Sequence, residues 1–324
     1  MIVEVNNQPL VSVPVITYNS AKFVLETLES IKAQTYQNIE LIISDDCSTD
    51  NTVELCQQWV EQNKNRFVRT QIITSEVNTG VSANGNRGRD ACQGEWIKGI
   101  AGDDLLMPNC IADCVEYVQQ HPNVIYLFGR IEAFGACEET NMRFTNNVDY
   151  SFFDLDVDGQ LKYLVFNDNC IKAPACFYNR YKVVELGIRN DERIPLLEDW
   201  PKWINIVEKG IPLKFIDKVL VLYRIHNDSL STSYRASAKF IESNYLFDLY
   251  YRYPRWQTYC SDYAADRMTK SYINLYNDLL ACERNFRSIL NSRSYKLGKF
   301  LLTPIRKVRL WINNEKNIRH LLKK

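Results

Sequence analysis

Along the first hundred residues the apolar positions change period in a regular order. LVSVPVITY (10–18) is a near-continuous apolar run and predicts a buried strand, and SAKFVLETLESIKAQ (20–34) predicts a helix with Phe23, Leu25, Leu28 and Ile31 near one face. NIELIISDD (38–46) predicts a second strand, and STDNTVELCQQWVEQN (48–63) a helix opened by capping-type residues. FVRTQIITS (67–75) predicts a third strand, before a Gly/Asn/Ser-rich turn and a short helix to Cys92, and GEWIKGIAG (94–102) a fourth. Alternation at this spacing predicts an α/β fold, a mostly parallel, Rossmann-like sheet flanked by helices, with ligands at the carboxyl ends of the strands. Asp45 and Asp46 end the second strand and Asp103 and Asp104 follow the fourth, so both acidic pairs fall on one rim. Further on the period blurs. NVIYLFGRIEAFG (123–135) is apolar, PLKFIDKVLVLYRIH (212–226) reads as paired strands, and from Ser233 the chain is helical and tyrosine-rich.

Composition narrows this picture. A chain of 324 residues with 46% apolar and 12% aromatic content supports one large domain or two modest ones with a substantial core. Its ten cysteines include no CxxC pair, and Cys110 and Cys114 sit at helical spacing, so reduced, mostly buried thiols are expected rather than zinc or a disulfide framework. Met1–Leu10 lacks the basic and apolar regions of a signal peptide, which points to a cytoplasmic protein, and no apolar run approaches the roughly 20 residues that span a bilayer. The formal net charge of zero hides an asymmetry: residues 284–324 carry 12 Lys or Arg and one acid, against 27 bases and 38 acids in the rest. Such a tail suggests an anionic partner. Within 294–324, Leu297, Phe300, Leu301, Ile305, Val308, Trp311 and Ile312 interleave with the bases, the composition of an interfacial helix on anionic lipid. An oligomer helix or a solvated basic face would share that composition. Nothing resembles a nucleic-acid module, so no nucleic-acid partner is expected.

Taken alone, the Asp103–Asp104 dipeptide reads as a turn or helix cap before Pro108. Its company gives it another meaning. VSVPVITYNS, ISDDCSTDNT, NTGVSANGNRG, GEWIKGIAGDD, LEDWPKW and YRIHNDSLS occur in that order and closely resemble the family 2 glycosyltransferases of the GT-A fold, bacterial enzymes that build O-antigen, lipooligosaccharide or capsule chains. The resemblance is strong over 10–104, moderate over 195–232 and weak elsewhere.

The resemblance implies a metal-dependent, inverting transfer of a hexosyl or N-acetylhexosaminyl group from a nucleotide diphosphate sugar, UDP-linked by expectation, to a hydroxyl of a lipid-linked glycan acceptor. By matching motifs, Asp46 reads the base with Thr17 and Tyr18 alongside, Asp103 holds the ribose, and Asp104 ligates Mn2+ or Mg2+. Ala101 replaces the first acid of the common D-x-D-D pattern, leaving one carboxylate fewer. NTGVSANGNRG would be a loop closing over the nucleotide, with Asn84, Asn86, Arg87 and Arg89 as phosphate donors; Gly85 stands where many relatives carry Arg. Asp199 matches the catalytic base, with Glu198 beside it and Trp200 placed to stack on a sugar, and His226 matches a histidine that approaches the metal or the diphosphate. An Asx turn or helix cap remains open for Asp45 and Asp46.

These expectations divide the chain into a nucleotide-sugar half (1–105), an acceptor half (106–232) and a basic helical region (233–324) that rests on the inner face of the cell membrane. A sugar nucleotidyltransferase would carry a Gly-rich phosphate loop after the first strand, and TYNSAKF has no glycine. A non-catalytic nucleotide-sugar-binding protein would not need Asp104, Asp199 and His226 together. DLDVDGQLKYLV (154–165) begins like a calcium loop but ends in Val165 instead of the bidentate Glu, so calcium is not expected.

Overall fold

β1 (Val11–Thr17) and β2 (Ile39–Asp45) are buried almost throughout and pair in parallel, from Val11 opposite Ile39 to Thr17 opposite Asp45. β3 (Arg69–Thr74) extends the parallel run, with Thr74 opposite Asp45. A computed structural model describes residues 8–146, 149–194, 196–226, 238–260 and most of 263–270, with isolated positions 273, 277, 280, 281 and 284 beyond.

α1 (Val24–Lys32) and α2 (Thr52–Asn63) make the crossovers. The inward stripe of α1 is Val24, Thr27, Leu28 and Ile31, which keeps Leu28 and Ile31 of the expected face but has Val24 and Thr27 in place of Phe23 and the exposed Leu25. Thr27 accounts for the shift: its hydroxyl donates to the Asp104 carbonyl at 2.8 Å, so a polar residue belongs to the buried face. α3 (Val81–Asp90) precedes a fourth strand that is broken into β4 (Trp96–Ile97) and β5 (Ile100–Ala101), both parallel to β1. At the break the fully buried Lys98 turns its ammonium onto the carbonyls of Gly99 and Pro174.

Next come β6 (Leu105–Leu106), α4 (Cys110–Gln120), β7 (Tyr126–Phe134), α5 (Glu138–Asn146), α6 (Val157–Phe166), β8 (Phe177–Asn179) and α7 (Arg180–Glu185). α8 (Trp200–Glu208) and β9 (Leu213–Arg224) follow, then α9 (Ala238–Phe247), a π-helical turn Asp248–Arg252 and α10 (Tyr253–Tyr259). One sheet runs β3-β2-β1-β4-β8-β7-β9-β6, with β5 beside β1. β8 is antiparallel to β4 and β7, while β7 and β9 are parallel.

Residues 212–226 were expected to form paired strands; they form the single strand β9. The polar Asp217–Lys218 step lies at a register shift opposite Gly129–Arg130, where Asp217 pairs with Arg130 and Lys218 with Asp113. One apolar core lies among β1, β2, α1, α2 and α4, and a second joins β7, α6, α8 and α9. The chain divides into a unit Met1–Tyr272 and a unit Ile273–Lys324, and strands from both sides of residue 105 share the sheet of the first. The basic segment 294–324 lies outside the described residues. Among the described residues no helix is long and apolar enough to cross a membrane. The nine described cysteines are free thiols.

Candidate active site

The rim at the carboxyl ends of β1, β2 and β5 collects Thr17, Tyr18, Asp46, Asp103 and Asp104 of the sequence-predicted residues. Among the described residues the positive-φ positions other than glycine are Asn19 (50°) and Cys47 (65°), just past the ends of β1 and β2. Such backbone is sparsely populated and concentrates at functional sites. The two turns are stitched together, since Asn19 N–H donates to Ser48 Oγ at 2.8 Å and Asn19 Oδ1 accepts from Thr49 N–H at 2.8 Å. Tyr18 stands 47% exposed on this edge, an aromatic face open to a ligand.

The acidic pair of β2 is heavily bonded. Asp45 forms an Asx turn, accepting from Thr17 Oγ1 (2.8 Å), Ser48 N–H (2.8 Å) and Ser48 Oγ (2.5 Å). Asp46 accepts from Thr79 N–H (2.9 Å), Thr79 Oγ1 (2.5 Å), Gly80 N–H (2.7 Å) and Arg87 Nη2 (2.9 Å). Burial would push its pKa up, but the donors from Thr79, Arg87 and Gly80 outweigh it and hold the carboxylate below the usual range. Asp46 therefore caps the segment that opens α3.

That segment is not a loop over the nucleotide, as the sequence suggested. From Val81 it is helix, because Gly80 (φ 90°) turns the chain and Ser82, Asn84, Asn86, Gly88 and Arg89 form the buried side. The expected phosphate donors make bonds within the protein, while the Nε atoms of Arg87 and Arg89 have no partner among the described residues. Asn86 donates to Glu192 Oε1 (2.8 Å) and the Asn190 carbonyl (3.1 Å), Asn84 to the Thr17 carbonyl (3.1 Å), Arg89 to the Ile188 carbonyl (2.5 Å), and Arg87 to Asp46. Gly85 has a steric reason: a Cβ there would lie 2.8 Å from Asn190 Nδ2.

The second acidic pair lies on the other side of β1 from the first. Gly102 N–H donates to the Ile16 carbonyl at 2.9 Å, and a Cβ at Gly102 would meet Thr17 Cγ2 at 2.8 Å, so the turn carrying Asp103 and Asp104 hugs the end of β1. The Asp103 carboxylate, 28% exposed, lies 3.0 Å from His226 Nε2. Asp104 is 1% exposed; Oδ1 accepts from Arg224 N–H at 2.9 Å, and Oδ2 accepts no hydrogen bond among the described residues. Burial, and then the charge of Asp103, push the Asp104 carboxyl well above the usual carboxylate range. Two crowded acids with one oxygen left over form a place where a cation would relieve repulsion. Among the described residues, however, no group of three or more His, Cys, Asp or Glu converges as a ready-made metal cage. A cation here would draw the rest of its shell from a substrate.

Asp199 is the N-cap of α8, accepting from Trp200 N–H at 2.7 Å and, on its other oxygen, from Asn169 Nδ2 at 2.9 Å. Sequence reasoning missed Asn169, whose position carries no motif. Glu198 is half-buried, and burial together with the charge of Asp199 pushes its carboxyl up to about 7. Trp200 is no sugar platform. Its indole N–H donates to the Leu164 carbonyl at 3.0 Å and its ring packs on Phe247 at 4.5 Å, because the apolar side of α8 faces the second core. The calcium-like stretch is likewise explained locally, as Asp156 caps α6 by accepting from Gly159 N–H at 2.8 Å.

Comparison with known proteins agrees with this geometry. The glycosyl transferase family 2 model matches residues 12–185. The putative teichuronic acid biosynthesis glycosyltransferase TuaG of Bacillus subtilis is 24% identical over 72% of this chain and 86% of its own length. The putative colanic acid biosynthesis glycosyl transferase WcaA of Escherichia coli is 34% identical over 38% of this chain and 42% of its own. Among solved structures, S. aureus TarS 1-349 in complex with UDP-GlcNAc superposes with a TM-score of 0.58 at 19% identity, covering 74% of this chain and 66% of that one. The mannosyltransferase PcManGT from Pyrobaculum calidifontis, in complex with GDP-Man and Mn2+, gives 0.57 at 15% identity over 90% and 83% of the two chains. The chain spans 39% of a longer TarS structure. These likenesses show the GT-A fold. With more than half of its length matched by the family model, the chain belongs to glycosyl transferase family 2.

Proposed function

We propose that the protein transfers a hexosyl or N-acetylhexosaminyl group, with inversion, from a nucleotide diphosphate sugar, UDP-linked, to a hydroxyl of a surface glycan acceptor. The observation that carries this reading is the rim itself, where an exposed Tyr18, the capped Asp46 and the Asp103–His226 contact at 3.0 Å lie at the carboxyl ends of neighbouring strands. The TarS structure with UDP-GlcNAc and the surface-polymer names of the relatives point to the same substrate class.

In this reading Tyr18 and the edge of Thr17 receive the base, Asp46 sets the wall beside it, and Asp103 takes the ribose. Asp104, through Oδ2, and His226 are the residues that would hold Mn2+ or Mg2+, which supplies Lewis-acid neutralisation of the diphosphate when bound. Asp199 accepts the proton of the attacking hydroxyl, and its bonds from Trp200 N–H and Asn169 fix the carboxylate in orientation. The basic residues 294–324 bring the enzyme to an anionic membrane surface, where a lipid-linked acceptor would be met.

Titration calorimetry of UDP in the presence of Mn2+ tests the donor site. Wild type should bind and Asp104→Ala should lose the metal-dependent part of the affinity. Equal binding by both would remove Asp104 from the site.

A further inference from the structure

Arg224, the last residue of β9, meets both halves of the second acidic pair. Its backbone N–H donates to Asp104 Oδ1 at 2.9 Å, while its side-chain Nε donates at 2.8 Å to the Asp103 carbonyl, which belongs to the peptide bond joining the two acids. Its Nη2 reaches Glu26 Oε2 on α1 at 2.7 Å. The guanidinium lies between two rings, 4.5 Å from the centroid of Phe23 and 4.4 Å from that of Phe134. Two residues on, His226 packs its ring on the same Phe23 at 4.8 Å and meets the Asp103 carboxylate. Room for this is tight: Gly135 has φ +93°, and a Cβ there would come within 3.3 Å of Arg224 Cγ and 2.9 Å of the Ile225 carbonyl.

We propose that Arg224 is a positioning residue for the donor site, fixing the Asp103–Asp104 turn to the end of β9, with Glu26 of α1 as the outer anchor of its guanidinium. This rests on the nucleotide-sugar reading above. A planar fork is needed because Nε and Nη2 must point at two acceptors on different elements at once, which an ammonium on a flexible stem does not reproduce. The same short segment orients both carboxylates and His226, so slack at Arg224 is felt by the whole rim. Glu26 is more than half exposed and touches neither acid, which makes it a lever on Arg224 that leaves the core intact.

The test compares wild type, Arg224→Lys, Glu26→Gln and the double variant by UDP titration calorimetry with and without Mn2+, donor-hydrolysis kinetics and thermal midpoint. Glu26→Gln should keep the wild-type midpoint and kcat while raising donor KM about fivefold, and Arg224→Lys should weaken UDP by about tenfold or more. Because Glu26 acts only through Arg224, the double variant should be no weaker than Arg224→Lys alone. Unchanged KM in Glu26→Gln, unchanged UDP affinity in a folded Arg224→Lys, or additive losses in the double variant would overturn the proposal. Should Arg224→Lys fail to fold, Glu26→Gln alone decides. Wild type that binds no UDP, GDP or dTDP would instead remove the nucleotide-sugar reading, and this proposal with it.

Discussion

Replacing Glu198 by Gln should change how stability depends on pH. Glu198 is half-buried beside Asp199, with Lys202 only partly offsetting, and its carboxyl is pushed from 4.5 up to about 7. Between these values the folded protein keeps a proton that the unfolded chain has released, so stability falls as pH rises from about 4.5 to about 7 and stays lowered above it. At about 1.4 kcal/mol per pH unit the gap corresponds to at most about 3.5 kcal/mol, and the partial solvent access of the residue reduces this to about 1–2 kcal/mol. Gln cannot ionise and lacks the penalty. Urea unfolding at about pH 5 and about pH 8 should show wild type losing about 1–2 kcal/mol more than Glu198→Gln between the two conditions. Parallel pH dependence of the two proteins would refute the desolvated placement of Glu198.

Asp199→Asn should retain UDP binding by calorimetry while transfer falls by about 10²–10⁴-fold, and near-normal turnover would remove Asp199 as the base. Gly85→Arg, which restores the residue common in relatives, should lower stability by about 1–3 kcal/mol in urea unfolding, because the Cβ alone would lie 2.8 Å from Asn190 Nδ2 and the Asn190 bond to the Ser82 carbonyl would be lost. A midpoint equal to wild type would contradict that packing. Removing residues 294–324 should abolish sedimentation with anionic vesicles and leave neutral vesicles unaffected; undiminished sedimentation would reject the tail as the lipid contact.

The first hundred residues were legible because their burial follows period. β1 and β2 are buried runs, and an acid at the end of such a run falls on the ligand rim whatever the details of the turn. Polar residues that act as structure were not legible. Asn84, Asn86 and Arg89 look like ligand donors in a glycine-rich string, yet they lie on the buried side of α3, where Asn86 and Arg89 bond to Asn190, Glu192 and Ile188, about a hundred residues away in sequence. Residues 212–226 read as paired strands because the pairing of Asp217 with Arg130 and of Lys218 with Asp113 is equally non-local. Trp200 beside a catalytic-type acid reads as a sugar platform until the second core claims it. Arg224 stood in a quoted motif two positions before His226, but only the fold shows that it grips the peptide between two acids.

The central claim is that this rim activates a nucleotide diphosphate sugar. It is tested most directly by incubating the protein and Mn2+ with a panel of UDP-, GDP- and dTDP-sugars and following slow donor hydrolysis by release of nucleoside diphosphate, which needs no acceptor. We expect release from one or more UDP-sugars, abolished by EDTA and in Asp104→Ala. A protein that releases no nucleoside diphosphate from any donor of the panel, with or without metal, would contradict the claim.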